Sequence, residues 1–426
     1  LPWGFEIYAL LTRWRPLNLR RPLPLPETGK TVLVVGMGPA GFTLAHHLMN
    51  DGHAVVGIDG LKIEPLAPQV CGVDADGKRV PFRPIRDMDD LREPLESRRM
   101  AGFGGVAEYG ITVRWDKNFL KVARLLVERR AQFAMFGGVR FGGTLTAESA
   151  FAMGFDHIAL AAGATTLTVL DLRRGLVRRV RTASDFLMGL QLTGAARHDS
   201  IANMQVRLPI VVVGGGLTAI DTATESLAYY PVQVEKFLER YETMAAERSP
   251  GAVRNEWNEE ETEAAEEFLT HALAIRAERQ QAAREGRPAR ILELLQSWGG
   301  STIAYRKRLI DSPSYTLNHE EVEKALEEGI RFAENLTPAR VEVDRFGHAR
   351  ALVVKARSTD ETGAAVDREV ELPARTILIA AGTQPNTVLA REDPDNFVVD
   401  GRYFRAVDEN GEPAKPERSP KPEDVR

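Results

Sequence analysis

Glycines at a characteristic spacing follow a mostly β-branched run early in the chain. Gly36, Gly38 and Gly41 come directly after Thr31–Val35. In this spacing the first glycine permits a tight turn, the second leaves room for a pyrophosphate, and the third lets a helix pack closely on the strand. That helix directs free amides and its positive dipole end at the phosphates. The residues predicted to contact a first dinucleotide are Gly36, Gly38, Pro39, Ala40 and Gly41.

An acidic residue stands where such a unit needs one for the ribose. The segment 53–58 is predicted to be a second strand, and Asp59 follows it. The spacing from the glycines is about 20 residues, at which a carboxylate can hydrogen-bond the ribose hydroxyls. Strand, glycines, helix, strand and acid therefore occur in the order of a complete dinucleotide-binding βαβ unit.

A second glycine cluster repeats this order further along the chain. A predicted strand at 208–213 leads into Gly214 and Gly216, and Ala219 takes the place of the third glycine. Two such units in one chain predict two dinucleotides held face to face, so that a hydride can pass between them. The residues predicted to contact the second dinucleotide are Gly214, Gly215, Gly216, Thr218 and Ala219.

The nucleotide preference of the second unit depends on the end of its second strand, which we predict at 231–236. Glu235 lies there and would accept a hydrogen bond from a free ribose 2′-hydroxyl, as in NAD. Lys236 and Arg240 would instead favour the 2′-phosphate of NADP. We expect NADH because Lys236 points away from Glu235 on a strand, with NADPH as the alternative.

Composition excludes several other classes of protein. The 426 residues are enough for two or three domains, and the 43% hydrophobic content is enough for ordinary cores. A net charge of −5 argues against a nucleic-acid partner. No apolar run reaches the roughly 18 residues of a membrane span. Cys71 is the single cysteine, so the chain has neither a CxxC redox pair nor cysteines for an iron–sulfur cluster. We expect a cytoplasmic protein.

Together with three further segments, the glycine clusters resemble the flavoprotein family of the glutamate synthase small subunit. That family is of the pyridine nucleotide-disulfide oxidoreductase type and includes the FAD module of dihydropyrimidine dehydrogenase. The resemblance spans most of residues 29–387 in order and spacing. The three further segments are Gly104–Ile111, Ala161–Ala164 and Ala380–Asn386.

The resemblance implies an α/β protein with two Rossmann-like domains of the three-layer ββα type. The NAD(P) domain is inserted in the FAD domain. It also implies that Gly105 and Val106 lie against the flavin and that Arg114 reaches FAD, although Arg114 could instead be a solvated charge. Ala162 and Gly163 would lie beside the bound FAD, and Gly382 and Thr383 would border the nicotinamide.

Two inserts and both ends depart from the family pattern. Relatives carry iron–sulfur clusters before the first glycine cluster and a flavin-binding turn at the end, so both ends are interpreted as truncated or supplied by another chain. The helical insert is either a solvated excursion or a docking surface. The predicted segments are 1–28 (helix and linker), 29–203 (FAD domain, inserted lobe 60–103), 204–386 (NAD(P) domain, helical insert 255–301) and 387–426 (return to the FAD domain, or tail).

The expected activity is that of an FAD-dependent oxidoreductase passing hydride between NAD(P)H and FAD. Electrons would be relayed to or from an iron–sulfur centre or partner subunit outside this segment. No residue is predicted as an acid–base catalyst or metal ligand, because the cofactors carry the chemistry. The alternatives are a non-catalytic flavoprotein scaffold in a larger redox complex and, less favoured, an FAD monooxygenase, which needs only one nucleotide motif.

Overall fold

The computed structural model describes residues 25–91, 118–164, 166–359 and 365–415. The strands are β1 (Thr31–Val35), β2 (Ala54–Asp59), β3 (Phe133–Gly137), β4 (His157–Leu160), β5 (Thr166–Leu167), β6 (Val180–Thr182), β7 (Ile210–Val213), β8 (Ser301–Ala304), β9 (Arg331–Ala333), β10 (Leu336–Val343), β11 (Ala349–Thr359), β12 (Ala365–Pro373), β13 (Thr376–Ile379), β14 (Thr383–Gln384), β15 (Val399–Asp400) and β16 (Tyr403–Phe404).

The α-helices surround these strands, and two short 3-10 turns lie at Met88–Leu91 and Leu309–Asp311. The helices are α1 (Pro39–Asn50), α2 (Pro68–Cys71), α3 (Asn118–Glu128), α4 (Ala147–Ala152), α5 (Ala183–Leu192), α6 (Leu217–Arg248), α7 (Pro250–Arg254), α8 (Glu259–Glu285), α9 (Ile291–Ser297), α10 (Pro313–Glu327) and α11 (Leu389–Glu392).

The first sheet is parallel, with the strand order β3-β2-β1-β4. Helix α1 starts at Pro39, whose missing N–H costs nothing in a first turn. Phe42 and Ala45 of α1 and Val127 of α3 pack on one face of this sheet. Ala150 of α4 packs on the other face. Because β1 pairs in parallel with β2 and β4, the carboxyl ends of these three strands lie at one edge of the sheet, beside the start of α1.

The second sheet is also parallel, with the order β6-β13-β7-β8-β9. Val212 of β7 packs against Ile220 of α6 and the other helices on one face. Val213 and Ile377 pack against Leu352 of the antiparallel sheet β10-β11-β12 on the other. Helices, parallel sheet and antiparallel sheet make three layers. The predicted α/β architecture with Rossmann-like parallel sheets is therefore confirmed.

The strand predicted at 231–236 is wrong, because these residues lie inside the 32-residue helix α6. Tyr230, Val234 and Leu238 are all buried in the helical core of the second unit. Their spacing of four residues is that of one helix face, not of a strand. Burial of this helical stripe decides the structure.

The predicted helical insert folds as α8 and α9 and packs on α6. Helix α8 begins with a capping box in which Asn258 and Glu261 bond each other's backbone amides. Its buried stripe includes Phe268 and Ile275. Arg276 pairs with Glu242 at 2.6 Å, and Arg279 pairs with Glu235 at 2.9 Å. Because the numbers rise along α8 and fall along α6, the two helices are antiparallel.

Short segments and single contacts link the two parallel sheets. Strands β5 and β14 pair as an antiparallel ribbon. Arg197, in the loop after α5, reaches Glu64 of the lobe that follows β2, at 3.4 Å. The second sheet also begins before the predicted start at residue 204, since its edge strand is β6. The segments that connect the two units therefore lie close to the ends of β4 and β13.

Candidate dinucleotide sites

The first glycine loop leaves no room for a side chain at Gly36 or at Gly41. Gly36 has a φ of 96°, and a Cβ on it would overlap the carbonyl oxygen of Ala161. A Cβ on Gly41 would overlap the carbonyl oxygen of Gly36. Gly38 is the N-cap of α1 and no side chain caps it, so the first-turn amides remain available to an anion. The loop has the geometry of a phosphate cradle.

Asp59 holds this loop from the end of β2. Its Oδ2 accepts a hydrogen bond from the Met37 amide at 2.8 Å, and its Oδ1 accepts one from the Leu61 amide at 2.8 Å. A carboxylate has about four acceptor positions. Two therefore remain for ribose hydroxyls, which fits the role predicted for Asp59.

The end of β4 borders the same loop. The Ala161 amide donates to Val35, and its carbonyl lies against Gly36. Ala162 is half-buried, and Gly163 is exposed with a φ of 69°. The residues here are small, so the backbone at this edge is open to a ligand. Gly105, Val106 and Arg114, predicted to reach the flavin, lie outside the described residues.

The second glycine loop repeats these contacts one by one. Ala380 donates its amide to Val213, as Ala161 does to Val35. A Cβ on Gly214 would overlap the Ala380 carbonyl oxygen. Gly216 is the N-cap of α6, again without a side-chain cap. A Cβ on Gly216 would meet no heavy atom within 4 Å, so the space in front of this loop is open.

The remaining predicted residues of this site lie around the loop. Thr218 and Ala219 are in the first turn of α6, and Ala219 is buried in the contact with the sheet. Gly382 has a φ of 100°, and its carbonyl accepts a hydrogen bond from the Thr168 amide at 3.1 Å. Thr383 begins β14, in the ribbon that joins the two units. These residues flank the path between the two glycine loops.

Gly215 is required for a different reason, which sequence reasoning missed. A Cβ on Gly215 would overlap the ring of Tyr305, the residue after β8. The Gly215 carbonyl also accepts hydrogen bonds from the backbone amide and the hydroxyl of Ser314, at 3.1 and 3.0 Å. Gly215, the middle one of three consecutive glycines, thus allows the loop after β8 to pack against the second motif.

Glu235 does not stand at the end of a strand, which removes the basis for its predicted contact with the ribose. It lies 18 residues beyond the start of α6, roughly 27 Å along the helix axis. Its carboxylate pairs with Arg279, and burial raises its pKa. Lys236 donates to the Ala195 carbonyl at 2.7 Å, and burial lowers its pKa to about 8. Arg240 donates to the Ser200 carbonyl.

The position equivalent to Asp59 is instead Tyr305. In the first unit Gly36 donates its amide to Ile58, the residue before Asp59. In the second unit Gly214 donates to Ala304, the residue before Tyr305. The expected interval of about 20 residues fails here because α6 to α9 fill the crossover between β7 and β8. The strand at 301–304 followed by three cations was the signal that could have located this position.

Those cations line an open cleft of about 490 Å³ beside β8. Arg306, Lys307 and Arg308 are all exposed. Arg308 pairs with Asp311 at 2.8 Å. Within the described ranges, Arg306 and Lys307 have no ion-pair partner. The cleft therefore contains two cations without an ion-pair partner among the described residues, and they follow Tyr305, the position equivalent to Asp59, directly in the chain.

Over residues 25–91, 118–164, 166–359 and 365–415, no three histidine, cysteine or acidic side chains are grouped as metal ligands would be. In the same ranges no helix combines the length and apolar character needed to cross a membrane. Cys71 is buried, and its thiol lies near the carbonyl oxygens of Leu66 and Val73.

Known proteins similar to this chain include an uncharacterized protein of Rickettsia prowazekii, 40% identical over 424 residues. The match covers 96% of this chain and 56% of the rickettsial protein, so the chain spans about half the length of that relative. Solved structures include Mycobacterium tuberculosis FprA in complex with NADPH, with 14% identity, 84% and 71% of the chains covered and a TM-score of 0.44. The amine oxidase HisD of Pseudomonas geniculata has 14% identity, 91% and 39% coverage and a TM-score of 0.46.

The model of one protein family matches residues 30–271, more than half of the chain. The matched region contains both glycine loops and Asp59. The narrower resemblance to the glutamate synthase small subunit stays a prediction. The chain belongs to the pyridine nucleotide-disulphide oxidoreductase family, whose cofactors are FAD and NAD(P)H.

Proposed function

We propose that this chain binds FAD at the first glycine loop and NADPH at the second, and that hydride passes between them. The observation that carries the proposal is the duplicated geometry. In each sheet the first glycine donates to the end of the adjacent strand and packs under an alanine carbonyl, beside an uncapped helix start. A non-catalytic scaffold or an enzyme with a single nucleotide would not need both loops open.

The choice of NADPH reverses the preference expected from Glu235. That expectation required a strand at 231–236, which the chain does not have. Arg306 and Lys307 follow the true second strand and have no carboxylate partner among the described residues. An arginine near this position accommodates the ribose 2′-phosphate in dinucleotide-binding folds. The adjacent cations therefore support NADPH as the donor.

The chain contributes binding and orientation to this reaction. When bound, FAD supplies the chemistry of accepting a hydride from a reduced nicotinamide. Gly38 and the start of α1 would hold its pyrophosphate, and Asp59 its ribose. Gly216 and the start of α6 would hold the second pyrophosphate. We assign no acid–base residue, because positioning two cofactors accounts for a large part of such a rate.

Electrons are proposed to leave toward an iron–sulfur centre or a redox partner outside this sequence. Cys71 is the chain's single cysteine, so these residues supply neither a dithiol nor four thiolate ligands. The rickettsial relative is nearly twice as long as the matched region, which leaves room for such a module. The helical insert forms ion pairs with α6 through Arg276 and Arg279, and with Arg207 and Arg375 beside the second sheet through Glu267. In this proposal it therefore serves as part of the second unit.

The test compares NADPH with NADH as reductants of the flavin-loaded protein under anaerobic conditions. We expect NADPH to bind more tightly, and Arg306→Gln with Lys307→Gln to remove that advantage. The loss should be about tenfold to a hundredfold, the value of hydrogen bonds to a charged group. Arg284→Gln is the matched control, because Arg284 is an exposed cation on α8 away from the cleft. If the double variant prefers NADPH over NADH as strongly as Arg284→Gln does, the assignment of Arg306 and Lys307 to the 2′-phosphate is overturned.

A further inference from the structure

The cationic cleft continues from the loop after β8 onto the antiparallel sheet. Thr337 of β10 and Lys355 of β11 line it together with Arg306 and Lys307. Thr337 and Lys355 are opposite each other in the strand register, so their side chains leave the sheet on the same face. Two elements far apart in the sequence therefore form one cleft.

The positive charge of Lys355 is not neutralised within the sheet. Its register partner on β12 is Glu369. Both carboxylate oxygens of Glu369 lie 2.8 Å from Nη1 of Arg340, so that acid is already engaged. Asp311, the acid in the cleft, is bonded through both oxygens to Arg308. Among the residues that the structure describes, Lys355 has no ion-pair partner and is exposed.

We propose that Lys355 is a specificity-determining residue, and that its ammonium binds the 2′-phosphate of the nicotinamide nucleotide together with Arg306 and Lys307. A phosphate monoester carries about two negative charges near neutral pH. Arg306, Lys307 and Lys355 line one cleft, and none of them forms an ion pair with a described residue, so together they can match that charge. The antiparallel layer, which contains no part of either glycine motif, thereby takes part in selecting the nucleotide. This inference rests on the proposed function, since it requires a dinucleotide at the second loop.

Arg368 provides a matched control for Lys355. It is opposite Ala356 on β12, one position from the pair formed by Lys355 and Glu369. Because side chains alternate along strands, Arg368 leaves the sheet on the face opposite to Lys355. It is exposed as well. Lys355→Gln and Arg368→Gln therefore remove the same charge from the same sheet, and only the first removes it from the cleft.

The experiment is calorimetric titration of the full chain with adenosine 2′,5′-bisphosphate and, separately, with adenosine 5′-monophosphate. We expect Lys355→Gln to weaken the bisphosphate by about three- to fivefold, as for one exposed ion pair. Its effect on the monophosphate should be less than twofold. Arg368→Gln should leave both affinities unchanged.

The outcomes separate this inference from the proposed function. If the unsubstituted chain does not favour the bisphosphate, the proposed NADPH site fails, and the inference fails with it. If the chain favours the bisphosphate, Arg306→Gln weakens it and Lys355→Gln matches Arg368→Gln, only the role of Lys355 is overturned. Equal weakening of both ligands by Lys355→Gln would also overturn it, because the contact would then not be with the 2′-phosphate.

Discussion

The glycines of the two motifs have different structural roles, although all are the same type of residue. Gly36 and Gly214 are confined by neighbouring carbonyl groups, whereas Gly216 faces open space. The first kind is needed for the loop to fold. The second kind is needed for a ligand to approach, because the chain itself places nothing there. Stability and binding can therefore be separated by substitutions only two residues apart.

Gly216→Val should abolish binding of the nicotinamide nucleotide while leaving the free energy of unfolding nearly unchanged. Its backbone is extended, with a φ of −94° that any residue can adopt. Gly214→Ala should instead destabilise the second unit by about 1–3 kcal/mol, because the new methyl group must displace the Ala380 carbonyl. Denaturant unfolding and nucleotide titration of both variants provide the measurements. If the Gly216→Val protein still binds the nucleotide, the loop at Gly216 is not the binding site of its pyrophosphate.

Glu235→Gln should not change the choice between NADPH and NADH. The carboxylate lies far along α6 and pairs with Arg279, so its removal should cost about 1 kcal/mol of stability or less. The comparison to make is the ratio of the two dissociation constants before and after substitution. A shift of that ratio toward NADPH would restore Glu235 as the residue that reads the ribose.

At the scale of elements, the sequence was sufficient wherever a local rule decides the structure. The strand, glycine and helix of each motif follow local rules, and so does the capping box that starts α8. The strand prediction at 231–236 was wrong, because burial of Tyr230, Val234 and Leu238 stabilises a helix there. That burial depends on packing against α8 and the sheet, which no local pattern contains. Misplacing this strand also misplaced the ribose site.

The packing of α8 against α9 should make the second unit sensitive to acid. His271 is stacked on Trp298 with the ring centroids 3.7 Å apart, and its Nδ1 lies 2.6 Å from the Tyr230 hydroxyl. Burial lowers its pKa from 6.5 to about 4. The unfolded chain therefore binds a proton first as the pH falls.

The contribution of His271 to stability should accordingly be complete above about pH 6.5 and should fall by up to about 3 kcal/mol between pH 6.5 and 4. Urea unfolding across this range is the measurement. His271→Phe should flatten this part of the profile, whereas His47→Gln, at an exposed position on α1, should leave it unchanged. An unaltered slope in His271→Phe would show that other groups cause the acid sensitivity.

At the scale of the whole molecule, two similar sheets face their glycine loops toward the segments that connect them. The β5–β14 ribbon and the Arg197–Glu64 contact join the units near the ends of β4 and β13. Transfer between two bound cofactors requires the reacting atoms to approach within about 3–3.5 Å, and our proposal expects the two cofactors to meet beside this ribbon. The cytoplasmic location and the external electron acceptor stay predictions from the sequence.

The central claim is that NADPH at the second loop delivers hydride to FAD at the first. The most direct test is anaerobic rapid mixing of the flavin-loaded protein with NADPH and with NADPH deuterated at nicotinamide C4, following the visible absorbance of oxidised flavin. We predict that NADPH bleaches the flavin, that the deuterated donor does so more slowly, and that Gly216→Val abolishes the bleaching while retaining the flavin. A protein that binds both cofactors but whose flavin stays oxidised with NADPH and NADH alike would contradict the account.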